Sequence, residues 1–542
     1  MAVHTTLSDS IRRQRSADEQ MPVVQEGASR HGADGHANHL AAMMWQWRRP
    51  DEMALSRKPL SNGSKTGLLE RQFDRVINHA LRKMFEPQLP LLQRWIDKPH
   101  ALEYKLMSQV LDDACDAVQA VYACLMRQGQ RADRGRATLT AEQVLRILVV
   151  KQLENLSYEQ LEFALADSST FRTFCRLPQG LTPTKSVLHR CLKGLDEACL
   201  QLVHQAVLSV GLNDGIESGD RMRADCTCTE TNIHAPFDSS LLWDSCRVLT
   251  RLTHRARMVG GVTLPFTDHS RKAKHHALAI RNAKTQEQRT SLYIELLALT
   301  RQAIDEARRM AAALLEFPPA EPSAKWEARQ VVEQMDHYVP LAQKVIDQTH
   351  RRVNLGQTVA ANDKVVSIFE PHTDIIIKDR RDTVFGHKLC LSEGGSGLII
   401  DVVVEQGNPA DSTLAVRTVE RAQKLTGMVF RKVAFDGGFA SHANVKAIKQ
   451  LGVEQVAFSK GRGLTAEQMT GSARNYQKLR NFRAGIEATI SWLKRCFGLR
   501  RCPWRGLSSF KSYVLASVVS ANVLVIARKR LEVASRKVAL AA

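Results

Sequence analysis

Apolar residues recur every three or four positions through most of the first 355 residues. Short Val- and Ile-rich runs take over after Gly356. Such a change of period predicts a largely helical first part and a sheet-containing second part. Phe73, Ile77, Leu81 and Met84, then Leu106, Val110, Ala114, Val118 and Val121, carry the helical spacing at the start. Residues 1–64 are polar and weakly patterned, which predicts a disordered or loosely attached extension. Between 138 and 196, Thr140 with Gln143 and Ser157 with Gln160 match capping boxes, and a third helix is expected near Ser168. Thr182-Pro183-Thr184 introduces a fourth helix. Its inner face is Leu188, Cys191, Leu192 and Leu195, and Lys185, Ser186, His189, Arg190 and Lys193 point outward. That basic face suits a recognition helix, and equally an ordinary amphipathic helix.

An alternating run at 222–229 predicts one strand ahead of a second helical stretch, 250–352. Within that stretch, 287–316 and 325–352 read as a hairpin around Pro318, Pro319 and Pro322. Strands are expected at 364–369, 374–378, 388–392 and 398–405. A helix at 414–425, a strand at 429–435, a helix at 442–451 and a strand at 455–459 follow. This order predicts a mixed α/β sheet. Residues 475–495 form one expected helix, weakened by Gly485 and stopped at Gly498. The apolar stretch 512–527 is short for a membrane span and holds three serines and an asparagine, so it is expected to be a buried closing helix.

Composition adds a partner. A chain of 542 residues is too long for one core. Its net charge of +20 and pI near 9.6 call for a polyanion, with nucleic acid favoured over a membrane surface because no lipid-anchor motif is present. Charge alone leaves ribosomal and membrane-surface roles open. The 11 cysteines are scattered without a CxxC pair, and the N-terminus carries no signal peptide pattern, so free thiols in a reducing cytoplasm are expected.

The candidate chemistry is acidic. Asp225 lies in the 222–229 strand, Asp436 ends an apolar strand before Gly437-Gly438, and Glu487 sits in the helix 475–495. Arg480, Arg483 and Lys494 share the helical face of Glu487. Three carboxylates from two strands and a helix suit Mg²⁺, which takes oxygen ligands and keeps waters for a substrate phosphate. The plainer readings are an exposed Arg483–Glu487 pair and a helix-capping Asp436. His387 and Lys388 read as facing a scissile phosphate or as plain strand positions, Asp411 as a helix cap, and Trp243 and Trp492 as buried or stacking on a base. The adjacent His275 and His276 point to different sides of a helix and make no metal site.

These residues carry a resemblance. The spacing of Arg483, Glu487 and Lys494, Asp436 in VAFDGGFAS, Asp225 in RADCTCTETNIH, and the phrases FGHKLCLSEGGSGLIIDVVVEQGNPADS and FRAGIEATISWLKRCFGLRRC are similar to DDE-type transposases of bacterial insertion sequences, in particular the ISNCY group. The resemblance spans roughly residues 65–535. It implies a ribonuclease H-like mixed-sheet catalytic core interrupted by a helical insertion and preceded by an all-α DNA-binding region. The implied boundaries are 1–64 (extension), 65–135 (N-terminal helices), 136–215 (helix-turn-helix-like module), 216–249 and 356–535 (catalytic core) and 250–355 (insertion). It further implies Asp225, Asp436 and Glu487 as catalytic metal ligands for Mg²⁺, with Mn²⁺ substituting. Arg480, Arg483, Lys494, Lys185, His189 and Arg190 would contact double-stranded DNA at element ends and target, and the active complex would be a homodimer or larger homo-oligomer. One departure stands out: where relatives often carry a tyrosine three residues before the arginine, this chain has Arg480. A ribonuclease H-like nuclease without joining activity and a catalytically silent DNA-binding regulator remain the competing readings.

Overall fold

The computed structural model describes residues 95–96, 98–127, 139–260, 264–378 and 382–541. The expected extension 1–64 and the helix positions Phe73, Ile77, Leu81 and Met84 lie outside them. The N-terminal part is helical: α1 (Pro99–Asp113), α2 (Cys115–Arg127), α3 (Ala141–Leu153), α4 (Tyr158–Asp167), α5 (Ser169–Phe174), α6 (Lys185–Lys193) and α7 (Glu197–Asn213). Both expected capping boxes form, Thr140 with Gln143 opening α3 and Ser157 with Gln160 opening α4. In α6, Leu188, Cys191 and Leu192 are buried, and Lys185, Ser186, His189 and Arg190 are exposed.

A seven-stranded mixed sheet follows. Its central strand β1 (Arg221–Thr231) leads into a helical insertion, α8 (Asp238–Gly260), α9 (Ser270–Asn282), α10 (Gln286–Glu316) and α11 (Pro322–Thr349). The chain returns through β2 (Asp374–Lys378), β3 (Asp382–Gly394) and β4 (Ile399–Val404). Then come α12 (Ala415–Thr426), β5 (Lys432–Phe435), α13 (His442–Gln450), β6 (Gln455–Phe458), α14 (Ala466–Thr470), α15 (Ala473–Cys496), β7 (Arg501–Cys502) and α16 (Leu507–Ala541). The spatial order is β2-β3-β1-β5-β6, with β4 beside β3 and β7 beside β1. β3 runs antiparallel to β1, whereas β5 and β6 are parallel additions on the other side.

Among the described residues two large apolar cores form, beside a small cluster of Ala434, Ala457 and Leu479 under α15. One joins the sheet, α12, α16 and the N-terminal helices; the other is built within the insertion around Leu242, Leu249, Leu296, Ile304, Val331 and Val345. The apolar stretch near the C-terminus lies in α16. That helix is long and apolar enough to cross a membrane, yet 89% of its most apolar window is buried within the protein. Its polar residues have structural work. The Asn522 amide donates to Ile399 O (2.8 Å) and accepts from Ile399 N (2.9 Å), replacing a strand partner at the edge of β4. Ser517 donates to Phe497 O at 3.0 Å.

The expected strand at 364–369 does not form. Gln348 Oε1 accepts from Val365 N at 2.8 Å, and Gln348 Nε2 donates to Val365 O at 3.1 Å. One side-chain amide thus satisfies the backbone that a ladder would otherwise satisfy. Val365 and Ile368 are still buried, against the insertion core, which is why their apolar character reads as a strand.

Candidate active site

Register brings the first two carboxylates together. Ala224 of β1 is paired in parallel with Phe435 of β5, so Asp225 and Asp436 are the next residues of adjacent strands. The helix α15 crosses the same face. Ser472 caps it through Asn475 N, and Tyr476 anchors its first turns by donating to Phe458 O at 2.9 Å. Leu479, Ile486 and Leu493 form its buried stripe.

Arg483 joins the three acids. Its Nη2 lies 2.8 Å from Asp225 Oδ2 and 3.1 Å from Asp436 Oδ1, and its Nη1 lies 2.7 Å from Glu487 Oε1. The guanidinium and Asp225 are partly buried, with side chains 13% and 15% exposed; Glu487 is open to solvent at 64%. Arg483 is therefore more than the surface partner of Glu487 that helical spacing predicts. It is a shared counter-cation for carboxylates on three elements.

The two aspartates differ electrostatically. Burial raises the Asp225 pKa to about 6, the neighbouring Asp436 and Asp411 charges add to the rise, and Arg483 and the Cys226 N–H oppose it. At Asp436 burial also opposes ionisation. Hydrogen bonds from Ser459 Oγ (2.8 Å) and the Gly438 N–H (3.4 Å), with the Arg483 charge, outweigh it and hold the carboxyl below the usual range.

Among the described residues no three His, Cys, Asp or Glu side chains are drawn together as a ready metal cage. At these carboxylates the reason is visible: Arg483 fills the space between them. A cation already sits where three anionic oxygens converge, so the donor set fits a hard divalent ion once the guanidinium withdraws.

The remaining expected residues distribute as follows. Arg480 is exposed and Lys494 half-buried on α15. Lys185, His189 and Arg190 lie on α6, where Lys185 Nζ faces Glu159 at 3.6 Å and the His189 ring meets Tyr158 edge-on at 5.1 Å. His387 does not face a phosphate. It is 3% exposed, its Nε2 is 2.7 Å from His372 Nδ1, and its Nδ1 is 2.8 Å from Asp374 Oδ2. Lys388, the next residue of β3, points to the other sheet face and pairs with Asp411 at 2.5 Å. Asp411 is therefore not a cap: its carboxylate lies against Gly438, where an added Cβ would come within 2.6 Å of Oδ2. Gly437 is crowded too, by Lys460 Cβ at 2.8 Å, so packing rather than substrate approach accounts for the glycine pair. Trp243 is half-buried beneath Arg247 and Lys274, and Trp492 packs edge-on against Phe497.

Sequence reasoning missed Ser459, which buttresses Asp436, and Arg223, which shares the strand face of Asp225. Alternation along β1 was the available signal for Arg223; its partner Glu393, 170 residues away, gave none.

No curated protein and no solved structure matches the chain. Two family models do. One, described as a transposase DDE domain, matches residues 377–523, a span that holds Asp436 and Glu487 and begins downstream of Asp225. Another, described as a transposase domain (DUF772), matches residues 90–193, the helices up to α6. Over these residues the sheet side is similar to a transposase DDE domain and the helical side to a transposase domain.

Proposed function

We propose that the protein cuts and rejoins DNA at the terminal inverted repeats of an insertion sequence resembling the ISNCY group. Asp225, Asp436 and Glu487 would hold Mg²⁺, or Mn²⁺ in its place, on a ribonuclease H-like core. The observation that carries this reading is the convergence of those three carboxylates on the Arg483 guanidinium. When bound, a divalent ion activates the attacking oxygen and neutralises charge on the phosphodiester.

The chain's own residues do the rest. Asp225 on β1 and Asp436 at the end of the adjacent β5 give the site a fixed floor. Glu487, exposed on a helix, closes it from the side where DNA must arrive. Arg483, once it leaves the carboxylates, finds a new anion in the scissile phosphate, and Lys494 and Arg480 extend the same basic face along the backbone. Water attacks the phosphodiester in line and leaves a 3′-hydroxyl on the element end. That hydroxyl then attacks a target phosphodiester, so each step breaks one P–O bond and forms another. The exposed face of α6, with Lys185, His189 and Arg190, reads the element end, and two or more subunits bridge two ends.

The test is Mg²⁺-dependent cleavage and joining of element-end DNA by wild type beside Glu487→Gln. Joined product from wild type alone is the expected result. Wild-type product from Glu487→Gln would remove the glutamate from the site, and cleavage without joining would favour a nuclease.

A further inference from the structure

Glu487 must be held at the right roll of its helix, and β1 carries a side chain built for that purpose. Arg223, two residues before Asp225, is directly opposite Glu393 in the β1–β3 register. Its Nε donates to Glu393 Oε2 at 3.1 Å, its Nη2 to Glu393 Oε1, and its Nη1 to the backbone carbonyl of Phe482 in α15 at 2.8 Å. The guanidinium carbon is 4.8 Å from the Phe482 ring centre. Glu393, only 2% exposed, also lies beside Thr489, whose hydroxyl favours its ionised form. The ion pair therefore touches α15 at Phe482 and Thr489, and between them lies Gly485. A Cβ at Gly485 would overlap Arg223 Nη1.

Helical geometry gives these contacts a consequence. At about 100° per residue, Phe482, Gly485 and Thr489 lie about 70° to one side of the Leu479–Ile486–Leu493 stripe. Arg483 and Glu487 lie about 60–100° to the other side. Apolar stripes resist rolling weakly, because dispersion and burial have no direction. Hydrogen bonds to a backbone carbonyl do have direction. With side chains about 6 Å from the helix axis, a roll of about 5° displaces a carboxylate by roughly 0.5 Å, which is about as much as a catalytic constellation tolerates.

We infer that Arg223, held by Glu393, is a positioning residue that sets the roll of the Glu487 helix, and that Gly485 is the seat that admits it. The glycine costs helix propensity but lets a buried guanidinium lie directly on the helix backbone. Arg223 cannot simply swing away from an added methyl group, since its fork is committed to Glu393 and Phe482 O. This rests on the reading of Asp225, Asp436 and Glu487 as metal ligands.

The experiment measures Mn²⁺ affinity by electron paramagnetic resonance, element-end DNA binding and single-turnover cleavage. It compares wild type, Gly485→Ala, Gly485→Ala with Arg223→Lys, Glu393→Gln and Asp436→Asn. Gly485→Ala should bind DNA normally, lose about tenfold in Mn²⁺ affinity, as supporting residues of metal sites do, and cleave more slowly. Adding Arg223→Lys, whose slimmer head does not fill the seat, should recover part of both losses. Mn²⁺ affinity and cleavage within twofold of wild type in Gly485→Ala, or no recovery in the double variant, would overturn the clamp. If Gly485→Ala proves insoluble, Glu393→Gln decides: unchanged Mn²⁺ affinity overturns the clamp and a loss supports it. Normal Mn²⁺ binding in Asp436→Asn would instead overturn the acidic-site reading beneath it.

Discussion

A guanidinium among three carboxylates leaves net negative charge behind, and Asp225 registers the imbalance. Its pKa is raised to about 6, chiefly by burial and further by Asp436 and Asp411. A raised carboxyl favours the folded state while protonated. Its contribution is therefore complete below the ordinary Asp value and is lost as pH rises through about 6. Metal binding has the opposite slope, because a ligand carboxylate must be ionised. The metal-free protein is thus expected to gain less from Asp225 at pH 7.5 than at pH 5, and Mn²⁺ should raise the melting temperature at pH 7.5 but hardly at pH 5. A scan at both values, with Asp225→Asn as control, checks this; equal Mn²⁺ stabilisation at both would refute it. On the proposed reading Arg483 would compete with metal for the same oxygens. Arg483→Ala should bind Mn²⁺ more tightly than wild type in the absence of DNA, yet cleave at least about tenfold more slowly, because the phosphate loses its counter-charge. Tighter metal binding combined with slower chemistry separates this role from that of a simple ligand.

At the scale of elements, side-chain amides stand in for missing strands at two places, and this explains where the sequence was legible. Helices with caps (α3, α4 and α15) or with clear periodicity (α6) were readable, as were the strand holding Asp225 and the one that ends just before Asp436. The run at 364–369 was not, because Gln348 supplies its hydrogen bonds from a distant helix and no local pattern announces that. Of the carboxylate cluster, the three acids and the Arg483–Glu487 spacing were legible. The bridging of Arg483 to both aspartates depends on strand register, and the Arg223–Glu393 clamp on a pairing 170 residues apart. His387 and Asp411 misled for the same reason, since their partners His372 and Lys388 are set by the fold. The amide device also predicts a cost. Asn522→Leu leaves Ile399 N–H unpaired in the core, while Ile399 O keeps the His204 ring at 3.1 Å, and the loss should destabilise the protein by on the order of 2 kcal/mol. Chemical denaturation would reveal it. A loss below 0.5 kcal/mol would mean that the edge of β4 finds other partners.

For the whole molecule, the proposed function would divide the excess of +20 between holding DNA and cutting it. The proposed roles place those tasks on different elements: Lys185, His189 and Arg190 on α6, and Arg480, Arg483 and Lys494 around the carboxylates on α15. α6 packs into the same core as α16 and the sheet, so a charge change on its exposed face need not disturb the carboxylates. Each duplex phosphate contact contributes about 0.9 to the log–log dependence of binding on salt. Arg190→Ala should therefore lower that slope by about 0.9 and weaken DNA binding at every salt concentration, with Mn²⁺ affinity unchanged. Glu487→Gln should do the reverse, keeping the salt slope and losing metal and product. Measuring both slopes on element-end DNA and on unrelated DNA adds the decisive contrast. A residue reading the element end loses more affinity on the specific duplex when substituted. An Arg190→Ala loss equal on both duplexes would reduce α6 to a backbone contact and move recognition to another part of the chain.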